Sequence, residues 1–253
     1  MDYVALASVI NKRKAVRAFE RAPLDQKALD EIRAFAREVP TLFPSYAVDV
    51  EIVGRDRVRG LGVLSVPHFL VLRASVGAEG ELAAGYLGQH LSLMMSARGI
   101  GSCWLGMTIP PSRGADRQDL AYAGTIAFGT PAEPLFRGIG EFKRKPLAEI
   151  ASPLASAALA DAATLLEAAR LSPSAMNRQP WFFAVDDRLV HAFSCPAPGL
   201  LNIARRWRYV DLGIACCHLA VAARAAGRAV AFTRSDRTPA GGRGDYALTM
   251  TLP

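Results

Sequence analysis

Two short stretches of this sequence are rich in positively charged residues. Arg13, Lys14 and Arg17 fall within five consecutive residues, and a second stretch reads Lys143-Arg144-Lys145-Pro146. A phosphate monoester carries nearly two negative charges, and guanidinium groups offer paired donors that match its oxygens. Each stretch can therefore bind a phosphate, although each alone also fits a solvated helix end or a charged surface turn.

A glycine-containing stretch reads Gly99-Ile100-Gly101-Ser102-Cys103-Trp104-Leu105-Gly106. Glycines let the main chain approach a bound group closely. The stretch is not a dinucleotide-binding fingerprint, because it lacks the third glycine and the helix that must follow. Cys103 is either a catalytic thiol or a buried structural cysteine. No Cys/His arrangement of recognisable spacing supports the thiol, so the structural interpretation is favoured.

The most informative stretch is Pro173-Ser174-Ala175-Met176-Asn177-Arg178-Gln179-Pro180-Trp181. Ser174 and Asn177 are short polar side chains that can hydrogen-bond a ligand. The two prolines stiffen the loop and reduce the entropy lost when it becomes ordered. Trp181 is predicted to fix the strand that follows, and the role of Gln179 is left open.

Together, these stretches resemble the nitroreductase family. Residues 173–181 are similar to the loop of that family that contacts the flavin. Residues 13–17 match its Arg-Arg-Ser-x-Arg segment with departures, because Ala15 replaces the serine. Residues 99–106 match the segment whose backbone lines the isoalloxazine ring, and residues 143–146 resemble a basic stretch that contacts the FMN phosphate.

The resemblance implies FMN as the cofactor. Arg13 is expected at the phosphate, and Arg17 near the flavin pyrimidine, where positive charge stabilises the anionic reduced ring. No catalytic side chain is expected, because the flavin itself carries the redox step. The expected cofactor-binding residues are Arg13, Lys14, Ala15, Arg17, Cys103, Trp104, Leu105, Gly106, Arg144, Lys145, Pro173, Ser174, Ala175 and Asn177.

The resemblance also implies the reaction of an FMN-dependent oxidoreductase. NADH or NADPH donates hydride and leaves, and a small electron acceptor such as a nitroaromatic or a quinone then takes its place in a ping-pong cycle. Two alternatives stay open. One is a flavin enzyme of the same fold with fragmenting, dehalogenating or azoline-oxidising chemistry. The other is a non-catalytic flavin-binding or sensory protein, suggested by the hydroxyl missing at Ala15 and by the loss of half the sites described below.

The two halves of the chain are similar in plan. With Gly99 aligned on Gly227, an offset of 128 (227 − 99), residues 89–93 fall on residues 217–221 within long helical segments. Chance similarity between alanine-rich helices is the competing explanation. We predict two nitroreductase-like halves, residues 1–152 and 153–253, that pack as one compact unit. The chain is then a monomer acting as a pseudodimer, a type similar to the putative TM nitroreductase subgroup.

Only one complete set of flavin-binding segments is present. The first half has both basic stretches and the glycine-containing stretch, but its own loop at residues 40–46 lacks the Ser-x-x-Asn-x-Gln-Pro-Trp pattern. The second half has that loop, but residues 227–232 do not reproduce the ring-lining stretch. The sequence therefore predicts one FMN per chain, bound by residues of both halves.

Helices and strands must bring these distant stretches together. Asp25 is predicted to cap a helix, and hydrophobic periodicity and turn signals indicate the elements. The predicted helices are Val4–Lys12, Lys27–Glu38, Ala83–Arg98 and Leu159–Arg170, and the predicted strands are Val48–Val53, Phe69–Ala74, Thr125–Phe128 and Phe182–Val185. The resemblance implies an α+β fold, a three-layer sandwich with a central, mainly antiparallel sheet built from the two related halves.

Composition limits the remaining possibilities. The chain has 253 residues, of which 51% are hydrophobic, without the roughly 18 uncharged apolar residues in a row that a membrane span needs. The charged N-terminal residues lack a secretory signal, so we expect a cytoplasmic protein that does not enter membranes. No metal is expected. The four cysteines are read as reduced, and Cys216-Cys217-His218 lies in a helical run whose side chains cannot converge on one ion.

The formal net charge of +7 does not predict a nucleic-acid partner. The arginines and lysines are scattered over both halves, without a recognisable nucleic-acid-binding module. Arg205, Arg206 and Arg208 either favour the additional phosphate of NADPH or are solvated residues at a helix end.

Overall fold

The computed structural model describes most of the chain. The described residues are 1–60, 65–109, 119–152, 159–186, 188–196 and 207–251. The helices are α1 (Tyr3–Ala7), α2 (Gln26–Glu38), α3 (Ala78–Ala97), α4 (Leu147–Ile150), α5 (Leu159–Arg170) and α6 (Arg208–Ala225). The strands are β1 (Val48–Gly54), β2 (Arg59–Gly60), β3 (His68–Ser75), β4 (Gly101–Leu105), β5 (Thr108–Ile109), β6 (Leu120–Gly129), β7 (Ala151–Ser152), β8 (Trp181–Asp186), β9 (Leu189–Ser194), β10 (Ala231–Thr233) and β11 (Asp245–Thr251).

The principal strands form two sheets. One has the order β1-β3-β6-β4 and is antiparallel throughout. The other has the order β10-β11-β9-β8-β7, and β7 is its parallel member. The predicted α+β class with mainly antiparallel strands is confirmed. The strands form two sheets, whereas the sequence predicted a single central sheet. Each sheet is covered by its own helix, α3 on the first and α6 on the second.

Helices α3 and α6 are the centre of the molecule. Most of their residues are buried, and each helix carries alanine, glycine and apolar residues around its whole circumference, as expected for a helix enclosed on all sides. Both end in the same way, with a residue that caps the helix and then a glycine with positive φ, 79° at Gly99 and 76° at Gly227. This backbone conformation strongly favours glycine at both helix ends.

The two helices touch backbone to backbone at a pair of glycines. A Cβ atom built on Gly85 would overlap the carbonyl of Val210, and one built on Gly213 would overlap the carbonyl of Leu82. Both pairs are related by the offset of 128 (213 − 85 and 210 − 82). The contact is therefore reciprocal, as at an interface with two-fold symmetry, although it lies within one chain.

The sheets repeat the same order. Strands β8, β9, β11 and β10 follow one another across the second sheet as β1, β3, β6 and β4 do across the first. This agreement supports the relationship between the halves, which stays a prediction. Residues 1–152 also contribute to the second sheet, because β7 pairs with β8 beyond the strands that match.

Most sequence-predicted elements are present with shifted ends. Asp25 caps α2 as predicted, its side chain accepting from Ala28 N. The first helix is much shorter than predicted, whereas α3 begins five residues earlier than Ala83 (83 − 78). Strands β9, β10 and β11 were not predicted. β9 is almost wholly buried and lacks alternation between apolar and polar residues, which is the usual signal of a strand.

We expect Gly85→Ala and Gly213→Ala each to destabilise the protein. The added methyl group overlaps a backbone carbonyl that cannot move without separating the helices. Overpacking of this kind costs roughly 1–3 kcal/mol, which exceeds the intrinsic helix preference for alanine. Urea unfolding measures the change. Gly140→Ala is the control, since nothing lies within 4 Å of its added Cβ, and equal stability of all three variants would contradict the close crossing.

Candidate functional site

A cavity of about 760 Å³ lies where the two halves meet. Its volume is within the range of cofactor and ligand pockets. Thirteen of the fourteen residues predicted to bind the cofactor line it, and Lys145 is the exception. The structure thus brings together stretches that are up to 164 residues apart in sequence (177 − 13). The additional lining residues are Met107, Gly124, Glu133, Arg137, Glu141, Lys143, Met176, Trp207, Val210, Asp211 and Ile214.

Backbone pairing places the N-terminal basic stretch beside β4. Val16 N donates to Ser102 O at 3.1 Å, and a β-bridge joins Arg13 to Phe136. Next to that bridge, Arg137 N donates to Lys12 O at 2.8 Å. These contacts bring Arg13 and Arg137 to one part of the cavity.

Three arginines of the cavity have unsatisfied donors. The buried Nε atoms of Arg13, Arg137 and Arg144 have no hydrogen-bond partner among the described residues. The pKa of Arg13 and that of Arg144 are each lowered to about 10, mainly by burial and in part by neighbouring guanidinium groups. Buried cations without a counter-charge are costly. This part of the cavity therefore suits an anion with several oxygen acceptors.

Arg137 carries no signal that would have identified it from the sequence. It stands alone in the chain, outside both basic stretches, and its guanidinium lies 3.7 Å from the centre of the Phe142 ring. Lys14, by contrast, is predicted, but its ammonium group already pairs with Glu133 at 2.8 Å. That hydrogen bond is the main cause that lowers the pKa of Glu133 to about 2.

Glu133 also fixes the backbone of the basic stretch. Its Oε1 accepts from the backbone N–H groups of Arg17 and Ala18. Glu133 was not predicted, because its partners lie more than 110 residues away in sequence (133 − 18 = 115). Lys14 and Glu133 together hold this segment in place.

The loop at residues 173–179 has an unusual backbone. Met176, Asn177 and Gln179 have φ values of 52°, 56° and 52°. Side chains with a Cβ rarely adopt this left-handed region, and such residues persist only where their surroundings hold them. Ser174 Oγ supports the turn by accepting from Gln179 N at 2.9 Å.

Side-chain hydrogen bonds tie this loop to the second basic stretch. Asn177 Oδ1 accepts from Arg144 at 2.6 Å, and Asn177 Nδ2 donates to Lys143 O at 2.7 Å. Both ends of the Asn177 amide are therefore engaged within the protein. Gln179 Oε1 accepts from Lys145 N at 2.8 Å, and Lys145 Nζ donates to Gln179 O at 3.3 Å. The structure thus gives Gln179 and Lys145 a positioning role.

Trp104 forms part of the cavity wall and is held by a hydrogen-bond chain. Its Nε1–H donates to Gln89 Oε1 at 3.0 Å, so the amide nitrogen of Gln89 faces His218 Nε2, at 2.8 Å. His218 Nδ1 then donates to Ala168 O at 2.9 Å. Burial lowers the pKa of His218 to about 3, which keeps the imidazole neutral, as this chain requires.

Glycines and aromatic residues complete the wall around Trp104. A Cβ on Gly88 would lie 2.6 Å from the indole, and one on Gly124 3.0 Å from it, so both glycines make room for the ring. Trp104 also packs near Trp207 and Tyr122, whose rings meet edge to face with centroids 5.8 Å apart. The wall around Trp104 is therefore aromatic.

Comparison with known protein families identifies the one to which this chain belongs. The sequence profile of a protein family described as "Putative TM nitroreductase" matches residues 5–223. The chain belongs to the nitroreductase family. The sequence resemblance is thereby confirmed. A search of curated protein sequences gives no match.

Solved nitroreductase-family structures share the fold. A nitroreductase described as putative from Thermotoga maritima superposes with a TM-score of 0.66 and 22% identity, covering 98% of this chain and 92% of its own. A family protein from Clostridium difficile gives 0.45 and 16%, covering 62% and 100%. A structure from Desulfovibrio desulfuricans, described as a complex with FMN, gives 0.43 and 19%, covering 57% and 93%.

The cysteines of this nitroreductase-family protein are buried or half-buried and unpaired. Burial raises the pKa of Cys103 above its ordinary value and that of Cys216 to about 12, which disfavours a reactive thiolate. In the part of the chain that the structure describes, no group of three or more histidine, cysteine or acidic residues could hold a metal ion. None of the described helices is long and apolar enough to cross a membrane.

Asp211 is an acidic residue inside the cavity that the sequence did not reveal. It lies on α6 among apolar residues, is 4% exposed, and accepts from Ala175 N at 2.9 Å and 3.1 Å through its two oxygens. Burial raises its pKa from 3.8 to about 7, although the bond from Ala175 opposes the shift. The carboxyl group therefore links α6 to the loop at residues 173–179.

We expect the pH dependence of stability to change in Asp211→Asn. The folded protein holds the Asp211 proton more tightly than the unfolded chain, so the native state loses stability as pH rises from about 4 to about 7. The asparagine keeps an acceptor for Ala175 N and removes this pH-dependent loss of stability. The size of the pKa shift puts that loss at roughly a few kcal/mol. Urea unfolding between pH 4 and 8 measures it. The exposed Asp236→Asn is the control, and parallel pH profiles of all three proteins would contradict the assignment.

Proposed function

We propose that the protein is an FMN-dependent oxidoreductase that passes hydride from NADH or NADPH to a small oxidised acceptor. The observation that carries this proposal is the convergence, in one cavity, of three buried arginine donors with the aromatic wall around Trp104. Membership in the nitroreductase family supports it. Bound FMN would supply the hydride-transfer chemistry, so the protein needs no acid–base pair of its own.

Different residues of the cavity would bind different parts of FMN. Arg13, Arg137 and Arg144 would hold the phosphate, since they present unsatisfied donors. The backbone from Cys103 to Gly106 and the loop at residues 173–177 line the remaining space. Flavin binding therefore draws on both halves of the chain.

The pseudo-symmetric position is filled by side chains, which supports a single FMN. The offset of 128 relates Trp104 to Phe232 (232 − 104) and Ile214 to Tyr86 (214 − 86). Trp104 packs beside Ile214 in the cavity, whereas Phe232 packs edge to face on Tyr86, with ring centroids 5.5 Å apart. Two interlocked rings thus occupy the matching place.

An ion pair fills the rest of that position. The same offset relates Gly106 to Arg234 (234 − 106) and Trp207 to Glu79 (207 − 79). Arg234 and Glu79 form a salt bridge, whereas Gly106 leaves open space beside Trp207. At the matching position of the other half, the ion pair of Arg234 and Glu79 therefore stands where the cavity has Gly106 and Trp207.

We expect one equivalent of FMN per chain. Reconstitution with excess FMN, followed by removal of free cofactor and measurement of flavin and protein absorbance, gives the ratio. Two equivalents would mean that the position around Tyr86 and Phe232 also binds. No bound flavin would overturn the proposed function itself.

We expect NADH or NADPH to reduce the bound flavin rapidly. Anaerobic stopped-flow mixing follows the loss of flavin absorbance, and reoxidation by a nitroaromatic or a quinone completes the cycle. A passive flavin-binding or sensory protein would keep its flavin oxidised. Arg208 pairs with Asp245 at 2.6 Å, which disfavours a role in binding the additional phosphate of NADPH. Arg205 and Arg206 lie outside the described residues.

A further inference from the structure

A second cavity, of about 580 Å³, lies between α2 and the edge strand β1. Val48, Val50 and Ile52 face it from the strand, and Ile32 and Arg37 line it from the helix. On its other side β1 pairs with β3, and no other described strand pairs with it. We call this space the α2–β1 groove.

The backbone of β1 presents hydrogen-bonding groups along the groove. Ala47 O accepts from Ser75 N, so odd-numbered residues of the strand direct their backbone groups toward β3. In an antiparallel pair the intervening residues point the other way. The N–H and C=O groups of Val48, Val50 and Ile52 therefore face outward and can pair with a further strand.

The corresponding groove of the second half is occupied. An offset of 133 relates Pro40 to Pro173 (173 − 40) and Val50 to Phe183 (183 − 50), so α5 and β8 correspond to α2 and β1. There α4 packs on α5 and β8, and β7 pairs in parallel with β8. Ile150 and Ala151 of this strap are 0% and 1% exposed. The strap, residues 147–152, thus fills the space that is open beside β1.

The α2–β1 groove also has more room for side chains. The core-facing residues of β8 are large at two positions, Trp181 and Phe183, and both are fully buried. Val48 and Val50 take the corresponding places on β1 by the same offset (181 − 48 and 183 − 50). The difference in volume leaves space for aliphatic side chains carried by another segment.

An arginine that holds the strap has a counterpart in the groove. Arg170 donates from Nη1 to Lys145 O, at 3.4 Å, just before the strap begins. Arg37 corresponds to it (170 − 37 = 133) and lines the groove. No hydrogen bond or ion pair of Arg37 is found with the residues that the structure describes. Its guanidinium is exposed at the groove and can donate to a backbone carbonyl of a bound segment.

We propose that the α2–β1 groove binds an extended segment of a partner protein. The segment adds a parallel strand to β1, directs aliphatic side chains into the cavity, and places a carbonyl oxygen on Arg37. Addition of a strand to an open sheet edge is a recurrent mode of peptide recognition, with affinity from the backbone and specificity from the side-chain pockets. The strap already adds a parallel strand to β8 of the same molecule in this way.

Charge disfavours a second copy of the chain as the occupant. If β1 paired with itself in antiparallel fashion around Val50, Asp49 of each copy would face Glu51 of the other. Pairing centred on Asp49 or Glu51 would place that residue opposite itself. Like charges directly opposite one another destabilise a sheet. A neutral segment such as Ala151–Ser152 avoids this repulsion.

A peptide copying residues 145–152, labelled with a fluorophore, tests the proposal on the full chain. We expect saturable binding by fluorescence anisotropy and slower hydrogen exchange at the outward-facing amides of Val48, Val50 and Ile52. Arg37→Ala and Val50→Lys should each weaken binding at least tenfold, whereas Arg21→Ala, an equal charge change outside the groove, should not. A peptide with proline at the position of Ala151 should bind less well, because it loses a backbone donor.

Other occupants give distinct results, and each overturns the proposal. Slow exchange at the amides of Val48, Val50 and Ile52 in dilute protein alone means that a segment of the same chain covers the strand. Protection that grows with protein concentration, together with a dimer in light scattering, identifies a second copy. Binding that leaves the amides of Val48, Val50 and Ile52 unprotected means that the peptide binds elsewhere, as it would by displacing the strap from β8. Absence of binding means that the groove accepts no such segment.

Discussion

The close crossing of α3 and α6 is the constraint on which the rest of the structure depends. Gly85 and Gly213 allow the two backbones to touch, and no other residue type fits at either position without displacing a carbonyl. The crossing sets the distance between the two sheets. It also brings Gln89 of one helix within hydrogen-bonding reach of His218 on the other. Because Gln89 accepts a hydrogen bond from Trp104, the crossing also fixes the orientation of that indole in the cavity.

Electrostatics explains why the cavity suits an anionic ligand. Backbone pairing brings Arg13 and Arg137 together, and repulsion between neighbouring guanidinium groups lowers the pKa of Arg13 and of Arg144. The buried Nε atoms of all three arginines have no described hydrogen-bond partner. An anion with several oxygens would offset that repulsion and gain charge-assisted hydrogen bonds. Arg144 also holds Asn177, so ligand binding and the docking of the loop share one side chain.

The sequence predicted the residues of the cavity better than the contacts between them. Local motifs identified thirteen of the residues that line it, because each motif is a continuous stretch with its own chemistry. Glu133 and Asp211 were missed, since each is a single residue whose partners are distant in the chain. Arg137 was missed because it is a lone arginine outside both basic stretches. For the same reason, the sequence could not show that the amide of Asn177 is already engaged or that the strands form two sheets.

The strap at residues 147–152 has a consequence for how the chain is made. Its strand belongs to the first half, but its partner β8 begins 29 residues later (181 − 152). Domains are built from the N-terminus during synthesis. The first half therefore leaves the ribosome with Ile150 and Ala151 still uncovered, and these apolar residues can be buried only after the second half follows. Assembly of the two halves is thus ordered in time by the direction of translation.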